Sequence, residues 1–460
     1  MANTENLNSI DTGRVIKMEV DYSTTCDQRI PECEALAASG KIHESLENLL
    51  ALEKQTRTGA DMVSTGRVLV AVVQICFKAK KWDLLNEHAT LLAKRRSQLK
   101  QAVVKMVQEC CTMVDQMPTQ ELKVEFIKTL RNVTEGKIYV EVERARLTQK
   151  LADILEKEGK LKEASALMEE LQVETYGSMD KREKVELMLE QMRLCFARKD
   201  LIRARIISKK INVKYFEDNT TQELKLRYYS ILIDVDQYEF NHPATVHHYL
   251  AILHTPITQE NPEKLHETLR NVVIYLVLSP YDNEQSDLRH RVMLDKSLEE
   301  VPLYKELLRL FINPELIKWT GLCDLYEKEL RKGHVFGHTT EGDRRWADLK
   351  TRVVEHNIRI MASYYTRISL QRMGQLLNLN LAETEEILSQ LVISGTVRAK
   401  TDRPTGVVHF SHSQDISDRL NEWAGRLTSL MQLVNKTTHL INKEECVHKH
   451  LLATGPHNMD

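Results

Sequence analysis

Histidines at metal-ligand spacings are the residues of this chain best placed to do chemistry. His334 and His338 stand four apart in a glycine-flanked segment, His448 and His450 two apart, and His247 and His248 side by side. A zinc isopeptidase needs an upstream Glu, a His-x-His pair and a downstream Asp. His448-x-His450 has the pair spacing, but the only acid after it is Asp460. His334 and His338 lie in a predicted loop, whereas the two histidines of a zinc-protease motif share one helix face with a Glu between them. Cys446 and His450 suit one helix face, yet a closed zinc site takes four ligands and no others are evident. His43-Glu44 and His266-Glu267 open the His-Glu motif without its second His. The stretch Gly333–Gly342 lacks the Lys and Ser/Thr of a phosphate-binding loop. Scattered Ser, His and Asp residues do not define a triad, because triads are assembled in space and not by spacing. The expectation is therefore no catalytic residue, no metal and no cofactor, with these histidines on solvated surface.

The elements around them read as a protein-binding module. Val354, Ile358, Met361 and Tyr365 fall at helical spacing on one long helix. A short β-like run follows at Thr366–Ser369, then a helix over Gln371–Leu377 and a turn through Asn378 and Asn380. A third helix runs from Leu381 to Ser394, and Gly395 ends it. Two β-prone stretches, Thr396–Lys400 and Val407–Phe410, flank the turn-forming Asp402–Gly406. The order helix, strand, helix, helix, hairpin is that of a winged helix, over Trp346–Phe410. In a DNA reader the third helix enters the major groove with basic or amide side chains. Here its exposed face carries Glu383, Glu386 and Gln390, with Glu385 beside them. Phosphate is repelled by such a face, so the module is expected to dock on protein and not on nucleic acid. Wing residues Arg398, Lys400 and Arg403 suit the acidic edge of a neighbour.

A heptad seam comes next. Leu420, Trp423, Leu427, Leu430, Val434, Thr437 and Ile441 alternate spacings of three and four. The flanking positions (Ala424, Met431, Thr438, and Arg426, Leu433, Leu440) are mostly apolar. So broad a stripe needs several neighbouring helices. Two arrangements satisfy it: a bundle with helices of other chains, or a helix folded back on its own domain.

Composition sets the fold class. With 16 glycines, 10 prolines and 6% aromatics in 460 residues, the chain is mainly α and not a sandwich or barrel. A net charge of −2 gives no field that favours nucleic acid or an anionic membrane. The longest apolar runs, Val68–Val73 and Val272–Leu278, are far short of the roughly 18 residues of a membrane span. The start Met1–Asn6 is polar, without the basic and then apolar regions expected of a signal peptide. Eight cysteines without a Cys-x-x-Cys are expected to be reduced thiols of a cytosolic or nuclear protein, several of them in the core.

Helix openings recur at intervals of roughly 40 residues, the mark of an α-solenoid with two helices per unit. They lie near Gly40-Lys41-Ile42, Lys80-Lys81-Trp82, Thr119-Gln120-Glu121, Gly159-Lys160-Leu161, Lys199-Asp200-Leu201 and Pro243-Ala244-Thr245. Helical stripes follow them, such as Trp82, Leu85, Ala89, Leu92 and Leu161, Ala164, Met168, Leu171. Such repeats make a curved rod with a large surface and no single deep pocket. Gly333, Gly337 and Gly342 are expected to mark a flexible loop. Basic clusters at Lys94-Arg95-Arg96 with Lys100, and at Lys209-Lys210 with Lys214, read as solvated faces, as contacts for an acidic partner protein or as nucleic-acid contacts.

Longer stretches carry a family resemblance. They are Leu52–Thr58, Lys94–Gln101, Thr134–Glu141, Leu171–Met179, Asp282–Leu288, Val353–Met361 and Leu433–Leu440. With the order of repeat arm, winged helix and terminal helix, they resemble the PCI family. That family supplies scaffold subunits to the proteasome lid, the COP9 signalosome and translation initiation factor three. The resemblance implies a TPR-like α-solenoid followed by a winged-helix (PCI) module and a long C-terminal bundle helix. The expected division is a disordered 1–15, a solenoid over 16–240 and a PCI domain over 241–411, its helical part 241–345 and its winged helix 346–411. The bundle helix over 412–451 and a disordered tail over 452–460 complete it. The resemblance further implies a non-catalytic lid scaffold in the cytoplasm and nucleus. Its partners would be other PCI and MPN-type subunits, including a deubiquitinating metalloprotease, with the ATPase ring and core particle. Interface residues would be Leu420, Trp423, Leu427, Leu430, Val434, Ile441, Glu383, Glu386, Arg398 and Lys400. The signalosome and the initiation factor remain the alternative assemblies.

Overall fold

A computed structural model describes residues 21–411 and 416–453. The stretch 1–15 and the tail from residue 454 lie outside them. The described residues form two compact units. One reaches Asn241 and adds His254–Glu260; the other takes His242–Leu253 and everything from Asn261.

The first unit is a stack of helices: α1 (Ser23–Ala38), α2 (Ile42–Thr58), α3 (Met62–Lys78), α4 (Trp82–Lys94), α5 (Lys100–Val114), α6 (Gln120–Thr134), α7 (Glu141–Lys157), α8 (Leu161–Glu169), α9 (Lys181–Ala197), α10 (Leu201–Lys210) and α11 (Gln222–Tyr238). With α12 (His242–Leu253), the even-numbered helices open at the six places read from the sequence. Most helices in the stack pack on the next, and many on the next but one, including α3 on α5, α4 on α6, α5 on α7 and α9 on α11. The apolar stripes meet in one continuous core, with Leu49, Leu69, Leu92, Met106, Ile127 and Leu130 sealed from solvent.

The turn inside most of these helix pairs is built the same way. The N–H of Lys41, Lys81, Lys160, Asp200 and Asn241 donates to the carbonyl five residues back, on Leu36, Cys76, Leu155, Cys195 and Asp236, at 2.9–3.2 Å. The preceding residue is left-handed in each: Gly40 (φ 92°), Lys80 (56°), Gly159 (81°), Lys199 (67°) and Phe240 (58°). This is the Schellman stop, which satisfies the last carbonyls of the first helix and reverses the chain. Only two of the five positions hold glycine, so Lys80, Lys199 and Phe240 bear the left-handed penalty of roughly 1–2 kcal/mol each.

Polar joints lock neighbouring pairs. The Glu53 side chain is fully buried on α2. It pairs with Arg57 (Nε to Oε1, 3.1 Å) and with Arg95, and accepts from Gln98 (3.2 Å). Arg57 also donates to the Arg96 carbonyl at 2.7 Å. Lys137 donates to the Ala93 carbonyl at 3.1 Å, and Gln191 to those of Met168 and Leu171 at 2.8 and 3.0 Å. Arg95, one of a basic cluster read as surface, is thus a structural partner, while Lys94 and Arg96 are exposed. Lys210 pairs with Glu174 at 2.6 Å.

A short helix, α13 (Pro256–Glu260), belongs to the first unit. The second unit contains α12, α14 (Pro262–Leu278), α15 (Asn283–Met293), α16 (Pro302–Ile312), α17 (Trp319–Lys332) and α18 (Thr340–Tyr364), followed by the winged-helix elements. The apolar run Val272–Leu278 is the buried spine of this unit: α14 packs on α12, α15, α16 and α18. None of the described helices is long and apolar enough to cross a membrane. The segment expected to be a flexible loop is tied down. Val335 and Phe336 are buried, Phe336 meets Trp346 edge to face at 5.5 Å, and Arg345 donates to the Val335 carbonyl at 2.9 Å. Gly342 lies inside α18, where an added Cβ would collide with the Gly337 carbonyl.

The repeated turn makes a sharp test. The Cβ position at Gly159 is open space, so Gly159→Ala should cost about 1 kcal/mol through backbone strain alone. Lys80→Gly should give back a similar amount at its turn. Urea unfolding of the two variants is expected to move the midpoint in opposite directions at constant slope.

Candidate protein-interaction surface

The winged helix is assembled on α18, which buries Val354, Ile358 and Met361. Strand β1 (Arg367–Ser369), α19 (Leu370–Leu377), α20 (Leu381–Ile393), β2 (Ala399–Asp402) and β3 (Val407–Phe410) complete it. The sheet is antiparallel in the order β1-β3-β2, with Val408 central, opposite both Ile368 and Thr401. Met373, Leu377, Leu388, Leu391, Val408 and Phe410 fill its core. Asn378 is left-handed (φ 57°) and ends α19; Gly395 (φ 76°) ends α20.

Two local expectations shift. Tyr365 lies beyond α18, extended and 41% exposed, because the chain there straightens to enter β1. The hairpin arm begins at Ala399 and not at Thr396, because Val397 first donates to the Leu391 carbonyl (3.2 Å) and its side chain enters the core. Asp402 therefore belongs to β2.

Glu383, Glu386 and Gln390 are exposed on α20, and Arg398 and Lys400 on the hairpin. Arg403 is bonded within the module: its Nε meets Glu385 at 2.6 Å, so the turn is tied to the acidic helix. That pair is largely exposed and worth only about 0–1 kcal/mol.

The last helix, α21 (Ile416–Ala453), is 38 residues long. Its described side chains are all exposed. Leu420, Trp423, Leu427, Leu430, Val434 and Ile441 are 45–63% accessible, as are Met431, Leu433 and Leu440 beside them. The helix is thus not folded back on its own domain.

The histidines at metal spacing do not converge. His334 and His338 are exposed, His247 meets Glu284 at 3.1 Å and His448 meets Glu444 at 3.0 Å. The side chain of His450 lies outside the described residues. Among the described residues no group of three or more His, Cys, Asp or Glu is placed to hold a metal. The cysteines are free thiols; Cys26, Cys33, Cys76, Cys110 and Cys195 are buried and Cys446 is exposed.

Three family models divide the chain. The one described as PSMD12/CSN4, N-terminal, matches residues 44–261; the PCI domain matches 289–412; the 26S proteasome regulatory subunit RPN5 C-terminal domain matches 417–449. The chain is 43% identical to the 26S proteasome non-ATPase regulatory subunit 12 of Dictyostelium discoideum, over 94% of this chain and 96% of that one. It is 42% identical to homolog A of that subunit in Arabidopsis thaliana, over 89% and 98%. It is 37% identical to the 26S proteasome regulatory subunit RPN5 of Saccharomyces cerevisiae, over 94% and 98%. The chain belongs to the family of 26S proteasome non-ATPase regulatory subunit 12.

Buried polar groups in the second unit are invisible to sequence reading. His356 is buried on α18 at 3.2 Å from the Glu315 carbonyl and beside Phe311; burial, with Arg359 and Arg289 nearby, pushes its pKa down to about 4. His242 is also buried and pushed down to about 4. Asn357 acts as a peptide mimic, exchanging two 2.8 Å bonds with the backbone of Ile317. The regular helical stripe through Val354, Ile358 and Met361 marked this helix as amphipathic, but nothing local distinguishes a buried His from a surface one.

Two outcomes follow from this geometry. Leu388→Asp or Leu391→Asp places a carboxylate in the winged-helix core at a cost of several kcal/mol, so the sheet should melt. Glu383→Lys with Glu386→Lys should leave folding intact, checked by circular dichroism and by a DNA shift assay in which wild type shows no binding. The depressed imidazoles give a pH dependence. The unfolded chain takes up protons near the ordinary histidine pKa of about 6.5 while the native His242 and His356 do not, so stability falls as pH drops from about 6.5 to about 4. Each contributes at most about 1.4 kcal/mol per pH unit. Melting curves across that window should flatten in His356→Gln.

Proposed function

We propose that this protein is a non-catalytic scaffold subunit of the lid of the 26S proteasome regulatory particle. In that role it supports ATP-dependent degradation of ubiquitinated proteins by holding other subunits in place. The observation that carries the reading is the α21 helix. It exposes a seam of Leu420, Trp423, Leu427, Leu430, Val434 and Ile441 along with a chain related to proteasome subunits over nearly its whole length. Burying a Leu-sized side chain is worth about 1.5–3 kcal/mol, so such a seam strongly favours helical neighbours from other subunits.

On this reading the helical repeats over 16–240 form an arm, residues 241–411 the PCI domain and 412–451 the bundle helix. The partners are other PCI and MPN-type lid subunits, including the deubiquitinating metalloprotease, and the ATPase ring and core particle. Glu383 and Glu386 on α20, with Arg398 and Lys400 on the wing, are edges for neighbouring winged helices of opposite charge. The acidic α20 favours protein over nucleic acid. The setting is the cytoplasm and nucleus. The signalosome and initiation factor three are the alternative assemblies; the matched RPN5 C-terminal domain over 417–449 favours the proteasome.

Replacing Leu427 and Leu430 with Ala should leave the melting of the isolated chain unchanged, because both are exposed there. The same change should weaken assembly by roughly 2–5 kcal/mol for each site that a partner fully buries. Truncation before Ile416 should give a folded chain absent from full-size complexes on native gels, and pull-down of the intact chain should recover proteasomal ATPases. Full-size complexes containing the truncated chain would overturn the assembly role of α21. Recovery of cullin-linked factors or ribosomal proteins in place of ATPases would select an alternative assembly.

A further inference from the structure

The PCI unit holds a cationic cluster that its own described residues leave electrically incomplete. Arg289 on α15 is 95% buried, with 5% of its surface accessible. Its guanidinium lies over the rings of Tyr281 and Phe311, at 6.0 and 5.8 Å from their centroids, and it makes a long 3.4 Å contact to the Phe311 carbonyl. Its Nε has no partner. Arg359 on α18 stacks on the same tyrosine ring, 3.5 Å from the Tyr281 centroid, and remains partly exposed. Its Nε is also unpartnered. Arg359 also feels the carboxylate of Glu355, which is bonded to Arg352 at 2.6 Å.

Two guanidiniums thus share one aromatic ring, repel each other and form no carboxylate pair among the described residues. Desolvation lowers the pKa of both, Arg289 to about 10. A cation kept in such a place at a cost of kcal/mol is normally paired. The surroundings also suit a contact. Tyr281 is 37% exposed; Leu316 and Tyr364, at 43% and 68%, lie where the Tyr364 hydroxyl reaches the Pro314 carbonyl (3.4 Å). Tyr364 ends α18, and the segment that holds Leu316 runs beside that helix, since Glu315 accepts from His356 and Ile317 is bonded to Asn357. Part-exposed Tyr and Arg beside apolar side chains are what binding hot spots are made of.

We propose that Arg359, backed by Arg289 and Tyr281, receives an aspartate or glutamate side chain from a neighbouring protein subunit, with Tyr281, Leu316 and Tyr364 forming the apolar rim of that contact. The carboxylate would take the guanidinium edge that Tyr281 leaves open, and the two arginines would then share one negative charge. The inference rests on the reading of this chain as a subunit of a large assembly, and it adds a second, charge-selected docking point far in sequence from the α21 seam.

The test uses the full chain in its assembled complex. Tyr281→p-benzoylphenylalanine is placed in the chain, complexes are irradiated, and the cross-linked peptide is sequenced. The expected product joins position 281 to an acid-containing segment of another subunit. Arg359→Glu should then lower incorporation at least tenfold, and reversing the mapped acid to Arg in the partner should restore it. Arg359→Met, which removes the charge and keeps the stem, should leave the melting temperature of the isolated chain at or above that of wild type while incorporation still falls. A cross-link only to this chain's own residues, or assembly of Arg359→Glu at wild-type level, would overturn the proposal. Failure of wild type itself to enter any complex would instead overturn the assembly reading.

Discussion

A pair of amphipathic helices cannot hide its apolar face alone, and the first unit is organised by that constraint. Each pair has to be reversed tightly enough for the next pair to cover it. The left-handed stop at Gly40, Lys80, Gly159, Lys199 and Phe240 does this with one residue and one bond reaching five residues back. The penalty at the three non-glycine turns is small beside the gain. Sealing Leu85 and Leu92 on α4 alone is worth several kcal/mol at about 25 cal/mol per Å². Packing therefore overrides local preference, and a lysine or phenylalanine is tolerated where glycine would be easier.

Apolar stacking leaves the sliding of one pair on the next weakly specified, and the polar joints remove that freedom. Glu53 is the clearest. A fully buried carboxylate is costly unless its lone pairs are filled, and here Arg57, Arg95 and Gln98 fill them from two successive pairs. Only one register brings Arg95 and Gln98 to Glu53. Lys137 on the Ala93 carbonyl acts in the same way further along, at the negative end of α4. Several of the stretches through which the sequence resembles its family are these joints: Leu52–Thr58 meets Lys94–Gln101 at Glu53, and Thr134–Glu141 meets α4 through Lys137. Asp282–Leu288 contributes Gln285, which bonds the Leu276 and Ser279 carbonyls, and Val353–Met361 contributes Asn357.

Much of this was legible in the sequence because it is periodic. Helix openings near 42, 82, 120, 161, 201 and 242 follow from stripes of three and four, and the winged-helix order follows from a switch to β-prone runs around a Pro-Gly turn. What stayed hidden depends on partners distant in the chain. Arg95 and Lys94 are adjacent basic residues, and only the position of Glu53 makes one a joint and leaves the other on the surface. The Gly333–Gly342 stretch read as loose because glycines are locally permissive, yet Phe336 finds Trp346 and Arg345 finds the Val335 carbonyl. Arg403 read as a free wing cation, and α20 brings Glu385 to it. The exposure of Glu383, Glu386, Arg398 and Lys400 was implied by spacing.

The contrast between α14 and α21 carries the argument about assembly. Both are rich in aliphatic residues. In α14 the run Val272–Leu278 is apolar all round, and helices α12, α15, α16 and α18 surround it. In α21 the apolar residues keep to a seam with flanks, a pattern that fits parallel neighbours along its length, and its described side chains are all exposed. The chain seals its apolar residues in α14, while ten large apolar residues of α21, from Leu420 to Val447, stay exposed. The polar residues between them are satisfied within the helix: Arg426 pairs with Glu422, and the Thr437 and Thr438 hydroxyls donate to the Leu433 and Val434 carbonyls. That combination, a satisfied backbone and an uncovered seam, is what supports the proposal that helices of other subunits complete α21.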